Sequence, residues 1–589
     1  MKPYTRLVGW KGRAATIAAL AAIGLGLAVV PVARASVWTA SGETRVFPST
    51  APTTSQTIAM TAAGNEYVGK IIGLHASVAR HVTVTWADGS DPLLTANTVL
   101  DQVAFVHIKR VTTYSGAKPG LYPDPLLPRH FGQLLNAPAH SSSLYVLFHV
   151  PYGTPAGTYS GGLHVVYGTE TVDIPVSLQV WDFGWSRLSV RTGFMVKMPT
   201  LPNPLATYTM LEQHGVSPIM PHAAPRPQSN GEINVAGYTS ALRPYLDASG
   251  LDMPTARLPW LSWCPDFSWR FAAGNSKLLN YLTNVCRVYK DNGWQSKLVA
   301  FPVDEPTSRT AELKAQALAV TAHRASARVG FRVKFMLTDD PRPTTLGPLL
   351  PANKELYNDV DIWCTRYYYF FGRVPVLRAL QRKGKEVWWY PYYNSSVRQM
   401  PNFVIEKSLA DERVWGWLMY QWNVDGMLYW GVNRWGNART GAGYRDPYKN
   451  PLSFEWPDGR VANGEASLIY PGYYPRYGLN DKSAPAVSSL RLEALRDGFQ
   501  DLEYCRIAAA KGVSATQIHA IVKGVTTYPY PIKYGHIFKF PLYAKSPSVY
   551  LSARAKLAQA IEAAIAAQTA AGDTVQAASS EAPSTQGGS

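Results

Sequence analysis

The sequence is short of charge: Asp, Glu, Lys and Arg make up only 16% of its 589 residues. Beyond residue 32 it has no run of about 20 apolar residues, so no later segment is expected to span a membrane as a helix. It has neither a CxxC nor an HExxH spacing, which leaves a zinc site with little support. No GxGxxG or P-loop follows any apolar run, so a dinucleotide or nucleotide site is not expected, and no cofactor is expected. There is no internal repeat. The basic residues form no cluster and accompany no nucleic-acid-binding motif, so nucleic acid is not an expected partner. Cysteine is scarce, with Cys264, Cys286, Cys364 and Cys505 only. Four cysteines allow three complete pairings. Cys264 with Cys286 is the most local, and free buried thiols fit equally well.

What is present begins with a secretory signature. Lys2, Arg6, Lys11 and Arg13 precede an apolar stretch over 14–32, and Ala33, Arg34 and Ala35 offer a small-x-small cleavage site. Residues 1–35 therefore read as a signal peptide, and the mature protein as secreted or associated with the cell envelope. Removing the five basic residues Lys2, Arg6, Lys11, Arg13 and Arg34 from the formal charge of +17 leaves +12 on the mature chain. That charge suits an ordinary basic secreted protein or one that meets an anionic glycan.

A chain this long exceeds what one core supports, so it divides into domains. Residues 36–185 alternate apolar and polar over short runs at 81–86, 144–150, 163–167 and 172–180, with Gly- and Pro-bearing turns between them. That pattern predicts a β-sandwich, with a role in support or substrate presentation. From 186 to 570 the rhythm becomes strand then helix. Near-continuous apolar runs lie at 194–198, 218–220, 298–303, 331–337, 361–364, 386–390, 415–420 and 426–430. Runs of this kind predict strands buried on both faces of a parallel sheet. The fold class is α/β plus all-β: an N-terminal β-sandwich, then a (β/α)8 TIM-like barrel with C-terminal helices. A doubly wound sheet is the alternative. Helices are predicted over 310–328, 488–511 and 547–569, and a disordered tail over 571–589.

In such a barrel the chemistry collects at the C-terminal ends of the strands. The 298–303 run, about the fourth strand, ends in Asp304, Glu305 and Pro306, and the 331–337 run ends in Thr338, Asp339, Asp340 and Pro341. Two carboxylates in different environments are what glycoside hydrolysis asks for, one to protonate the leaving oxygen and one to stabilise the charged sugar. Neighbouring strand residues face opposite ways, so Asp304 and Glu305 share a site only if the strand breaks there, as Pro306 suggests. Asp339 and Asp340 fit a functional place at that strand end or a helix cap, and Asp339 is the one taken as a substrate-binding candidate. Half of the 18 tryptophans fall between 363 and 456. Aromatic faces match the flat C–H faces of sugars, though most of these rings are expected to fill the core. Trp430 and Tyr393 are the candidates for substrate contact, because both follow the apolar part of a strand.

An ordered set of segments, 303–306, 416–430, 468–472 and 491–498 with Glu503 and Tyr504, resembles glycoside hydrolase family 123 and its wider group of relatives. Residues 150–161 resemble that family's N-terminal sandwich. The resemblance implies a retaining, exo-acting N-acetyl-β-galactosaminidase in which the substrate's own acetamido oxygen attacks the anomeric carbon. Carried over, Glu305 is the general acid/base and Asp304 orients the acetamido group. Tyr393, Asn394, Arg366, Asp425 and Asn433 are substrate-cleft candidates, whereas Arg491 and Glu493 read as structural ion-pairing residues. The expected partner is a glycan substrate, and the sequence leaves oligomeric state open. Two alternatives stand beside this reading. One is a glycosidase of the same fold acting on another sugar by a two-carboxylate mechanism that recruits Asp339 or Asp425. The other is a non-catalytic secreted glycan-binding protein.

Overall fold

The computed structural model describes residues 36–197, 201–219, 225–247, 276–306, 308–341, 354–393, 400–436, 443–526 and 543–580. The expected signal peptide, Cys264, Asn394 and residues 581–589 lie outside the described residues.

The N-terminal strands are β1 (Ser36–Ser41), β2 (Ile58–Gly64), β3 (Tyr67–Ala76), β4 (Arg80–Trp86), β5 (Thr98–Ile108), β6 (Gly120–Arg129), β7 (Leu135–Ala137), β8 (His140–His149), β9 (Gly157–Tyr167) and β10 (Glu170–Gly184). They form two five-stranded sheets, ordered β1-β3-β8-β5-β6 and β2-β10-β9-β4-β7. All pairings are antiparallel except β2 with β10. Alternation puts one face of each sheet into a shared core, where Ile72, Leu74, Val146 and Phe148 meet Val84, Val165, Ile174 and Val176. The first sheet is buried on its other face too: Trp38, Ile71, Val103, Leu126 and Tyr145 pack with Leu409, Leu490 and Ala494 of the following part of the chain.

The second half holds seven parallel strands: β11 (Arg191–Met195), β12 (Pro218–Ile219), β13 (Val299–Ala300), β14 (Lys334–Thr338), β15 (Ile362–Arg366), β16 (Glu386–Tyr390) and β17 (Gly426–Tyr429). Their order is β12-β11-β17-β16-β15-β14-β13. Among the described residues this is a curved run of parallel strands with β12 and β13 at its ends, not a closed barrel. The expected strand at 298–303 is the short β13. The expected strand at 415–420 is corrected: it is part of the helix Ala410–Gln421, buried over nearly its whole circumference. A helix covered on every side loses the 3.6-residue polar signature and reads as an apolar run.

That helix crosses a second buried helix, Leu490–Ala510, at Gly416 and Gly498. A Cβ on Gly416 would lie 1.7 Å from the Gly498 carbonyl oxygen, and one on Gly498 would lie 2.2 Å from that of Arg413. Several of the charges buried along the crossing are paired. Arg413 donates to Asp501 at 2.7 Å and to Glu43 of the sandwich, and Trp417 Nε1 donates to Asp501 at 2.7 Å. Arg491, wholly buried, donates to Asp124 of β6 at 2.9 Å, and Glu493 accepts from His214 Nε2 at 2.8 Å. The Arg491 and Glu493 contacts are the structural pairing read from the sequence, and those of Arg413 with Glu43 and Arg491 with Asp124 tie the two helices to the sandwich.

The last helix runs Pro547–Ser580, through positions expected to be disordered from 571. Its Ala-rich sequence favours helix strongly enough to carry it on. Cys286, Cys364 and Cys505 are buried free thiols. Among the described residues no helix is long and apolar enough to cross a membrane.

Candidate active site

The inner face of the parallel sheet is built by two-residue alternation. Val299, Phe301, Met336, Ile362, Cys364, Trp388 and Leu428 form an apolar layer there. One step further toward the C-terminal ends, the same parity presents Thr338 after Met336, Arg366 after Cys364, Tyr390 after Trp388 and Trp430 after Leu428. Val303 and Glu305 continue the parity of Val299 and Phe301. Polar groups at the ends of five strands therefore sit above a greasy floor.

Asp304 is out of phase with this series, and the backbone resolves the conflict. Asp304 forms an isolated parallel bridge with Thr338, and Glu305 then takes φ +44°. A left-handed glutamate costs roughly 1–3 kcal/mol, a strain typical of functional turns. Thr338 anchors the turn: its hydroxyl accepts the Glu305 amide N–H at 2.8 Å and donates to Asp304 Oδ1 at 2.7 Å. The strand break expected at Pro306 thus falls at Glu305, and both side chains serve one end of the sheet.

The two carboxylates are held differently. Glu305 accepts from Arg366 Nη2 at 2.7 Å and from the Tyr390 hydroxyl. Asp304 has Thr338 and an open side toward solvent. Desolvation by the protein wall on its inner side pushes the Asp304 pKa up, an effect opposed by Thr338 and reinforced by the Glu305 charge. Arg366 also reaches Asp340, 3% exposed in its side chain, through Nη1 at 3.3 Å and its own amide at 3.2 Å. Burial pushes Asp340 up to about 6, against the pull of Arg366. The Cys364 thiol is pushed up by burial and by the charges of both Asp304 and Asp340. Burial opposes the charge on Arg366, but its Glu305 bond, Tyr390 and Asp340 keep the guanidinium protonated. Around it lie Tyr369, whose ring centroid is 5.6 Å from the guanidinium carbon, and the Tyr368 and Tyr392 hydroxyls, 2.5 Å apart.

The other expected positions divide. Asp339 lies at the same strand end, where its carboxylate caps the Asp340 amide at 2.7 Å. Trp430 also stands at that end, half-buried, with its Nε1 donating to Glu465 at 2.9 Å and its ring edge-on to Phe454 at 5.4 Å. Tyr393 is corrected from a substrate-facing ring to a buried one, packed with Val404 and Ala462, its hydroxyl donating to the Thr113 carbonyl. Asn433 is likewise 1% exposed. It clamps the chain after β11 by accepting from Lys197 N at 2.8 Å and donating to Lys197 O at 3.1 Å. Asp425 is corrected most plainly. It precedes β17 rather than following it, accepts from Val387 N at 2.8 Å and Gln381 Nε2 at 2.9 Å, and belongs to the opposite end of the sheet.

Asp340, a strand-end candidate in the sequence together with Asp339, lies in the cluster, whereas sequence reasoning missed Tyr390 and Glu465. Tyr390 was readable by parity with Trp388. Glu465 has no such signal. It is 2% exposed, accepts from Trp430 and from Tyr393 N at 3.1 Å through Oε1, and its Oε2 has no partner among the described residues. Burial pushes it up to about 7. The next residue, Ala466, is held at φ +56°, and Arg491 supports the loop by donating to Gly464 O at 3.0 Å and Ser467 O at 2.6 Å. A larger cavity, about 970 Å³, lies between helices Ala515–Val525 and Pro547–Ser580, lined mostly by Ala, Ser and Gln, and none of these carboxylates borders it.

Residues 272–508, which contain every group of this cluster, match the profile of the glycoside hydrolase 123 catalytic domain. That segment is a glycoside hydrolase 123 catalytic domain. A solved family 123 glycoside hydrolase from Clostridium perfringens, described in connection with glycolipid glycan hydrolysis, aligns over 92% of this chain and 100% of its own, with TM-score 0.65 and 13% identity. At that identity the likeness speaks for the fold, and it includes the N-terminal sheets. A GH10 xylanase with a bacterial Ig-like domain from termite gut covers 61% of this chain and 90% of its own at 11% identity and TM-score 0.29, too low to bear on the fold. No curated protein sequence matches the chain. The protein is therefore a glycoside hydrolase, an activity that a glycan substrate fits, which sets aside the non-catalytic reading.

Proposed function

We propose that the enzyme is a secreted, retaining exo-β-N-acetylhexosaminidase of galactosaminidase type that uses its substrate's acetamido group as nucleophile. The observation that carries this reading is the shared anchoring of Asp304 and Glu305 on Thr338. Adjacent residues on one turn cannot flank a sugar ring as acid and opposing nucleophile, but they can act on one face together.

In the first step the acetamido oxygen bonds to the anomeric carbon, the glycosidic C–O bond breaks, and Glu305 gives its proton to the leaving oxygen. Asp304 accepts the acetamido N–H and stabilises the charged oxazoline ring. Water then attacks the anomeric carbon, Glu305 takes its proton, and the ring reopens with retention. Protonated Glu305 no longer needs Arg366, and Asp340 remains to hold the guanidinium charge. Trp430 is the aromatic wall for the sugar. A closed (β/α)8 barrel suits the seven parallel strands in their observed order, and secretion suits the N-terminal segment.

A two-carboxylate mechanism is the second reading, favoured by the sharing of Arg366 between Glu305 and Asp340. The deciding experiment compares an aryl N-acetyl-β-galactosaminide with its 2-hydroxy counterpart and adds a thiazoline mimic of the oxazoline. Acetamido participation gives turnover of the first substrate only and strong thiazoline inhibition. Equal turnover of both without inhibition supports the second reading.

A further inference from the structure

A second cluster of charge lies behind the hairpin formed by β18 (Leu452–Glu455) and β19 (Val461–Asn463). Phe454 packs its ring on Trp430. Adjacent strand residues face opposite sides, so Glu455 points away from the catalytic face. There it takes Arg110 Nη1 at 3.2 Å and Arg445 Nη2 at 2.6 Å. Arg110 comes from the sandwich and Arg445 from the catalytic domain. Arg110 also donates to Gly459 O at 3.3 Å and Arg445 to Leu452 O at 3.2 Å. One carboxylate thus fixes two guanidiniums side by side and leaves the trio positive. Lys449 joins from the rim, 3.5 Å from Asp446, and Lys109 and His107 are exposed without a side-chain partner among the described residues. These groups line a cleft of about 320 Å³ together with Asn450 and Asn463.

We propose that this cleft binds an anionic substituent, sulfate or carboxylate, carried by a glycan, at a site separate from the catalytic carboxylates. Two preorganised guanidiniums offer forked donors that match the paired oxygens of such groups, at less entropic cost than free side chains. The lysines add long-range attraction, and the asparagines offer hydrogen bonds to hydroxyls. The volume is that of a small-ligand site. The lining contains no Trp, Tyr or Phe ring, so the large stacking platform on which single-stranded nucleic acid lays its bases is missing. The site needs no particular catalytic mechanism and stands or falls apart from the acetamido reading.

The test is calorimetric titration of the full mature chain carrying Glu305→Gln. The probes are a chondroitin sulfate tetrasaccharide, a hyaluronan tetrasaccharide, a neutral chitin tetrasaccharide and oligothymidylate. The expected result is salt-sensitive binding of one or both acidic oligosaccharides, weakened about tenfold or more by Lys109→Ala with Lys449→Ala. Chondroitin sulfate alone would assign sulfate, and hyaluronan binding would assign carboxylate. In the Glu305-containing chain the same double substitution leaves aryl glycoside turnover unchanged. Should the double variant melt early, Lys109→Arg with Lys449→Arg is expected to restore binding. No acidic oligosaccharide binding, a change within about twofold on removing both lysines, or equal affinity for oligothymidylate overturns the proposal.

Discussion

Arg366 Nη2 meets Glu305 Oε2 at 2.7 Å while the other terminal nitrogen of the same guanidinium reaches Asp340 Oδ2 at 3.3 Å. One cation therefore serves an accessible carboxylate, the proposed acid/base, and a buried one. Replacing Arg366 by Met is expected to lower kcat by roughly 100-fold or more while the chain still folds, because Glu305 loses a positioning donor and Asp340 loses its counter-charge. Arg366→Lys should recover little, since one ammonium cannot hold both carboxylates in the forked geometry. Steady-state kinetics of the two variants check this.

Asp340 makes stability depend on pH. Its carboxyl is raised from 3.8 to about 6 in the folded chain, so the folded state holds the proton more tightly than the unfolded one. The associated stability is present below about pH 4 and is lost as pH rises through about 6, to the extent of about 3 kcal/mol. Asp340→Asn should remove that slope. Urea unfolding of both proteins at pH 4.5 and 7.5 reads the difference.

Glu465 is expected to act through Trp430, whose indole it holds at 2.9 Å. Glu465→Ala should raise KM by about tenfold with a smaller change in kcat, and shift tryptophan fluorescence. Glu465→Gln should keep both near wild type, because the accepting oxygen is retained and the position is neutral below about pH 7. Kinetics and fluorescence spectra together separate a loosened indole from a general loss of fold.

The Gly416–Gly498 crossing predicts intolerance to a single methyl group. A Cβ on Gly416 falls 1.7 Å from a backbone oxygen, which no rotamer change can relieve, so Gly416→Ala should cost about 3 kcal/mol or more. Denaturant unfolding measures it.

How much of this was legible in the sequence depends on which signal each residue leaves. The strands ending in Thr338, Arg366, Tyr390 and Trp430 announce themselves as apolar runs, and alternation carries each run into the site. The same signal fails for the helix Ala410–Gln421, because burial on every side removes the polar face that marks a helix. Asp425 and Trp430 stand at opposite ends of the same short run, and only direction separates them: one precedes β17 and the other follows it. Tyr393 and Asn433 follow strand ends as expected, yet their side chains turn inward to Thr113 and Lys197, and such partners are far away in sequence. Glu465 sits in a loop with no periodicity, and its importance comes from burial, which only the folded chain reveals.

The most direct test is kcat/KM of Glu305→Gln against wild type on an aryl N-acetyl-β-galactosaminide, with circular dichroism to verify folding. The account predicts turnover by the wild type and a loss of about 1,000-fold or more in the variant, whereas a folded variant that retains activity within a few-fold would contradict it.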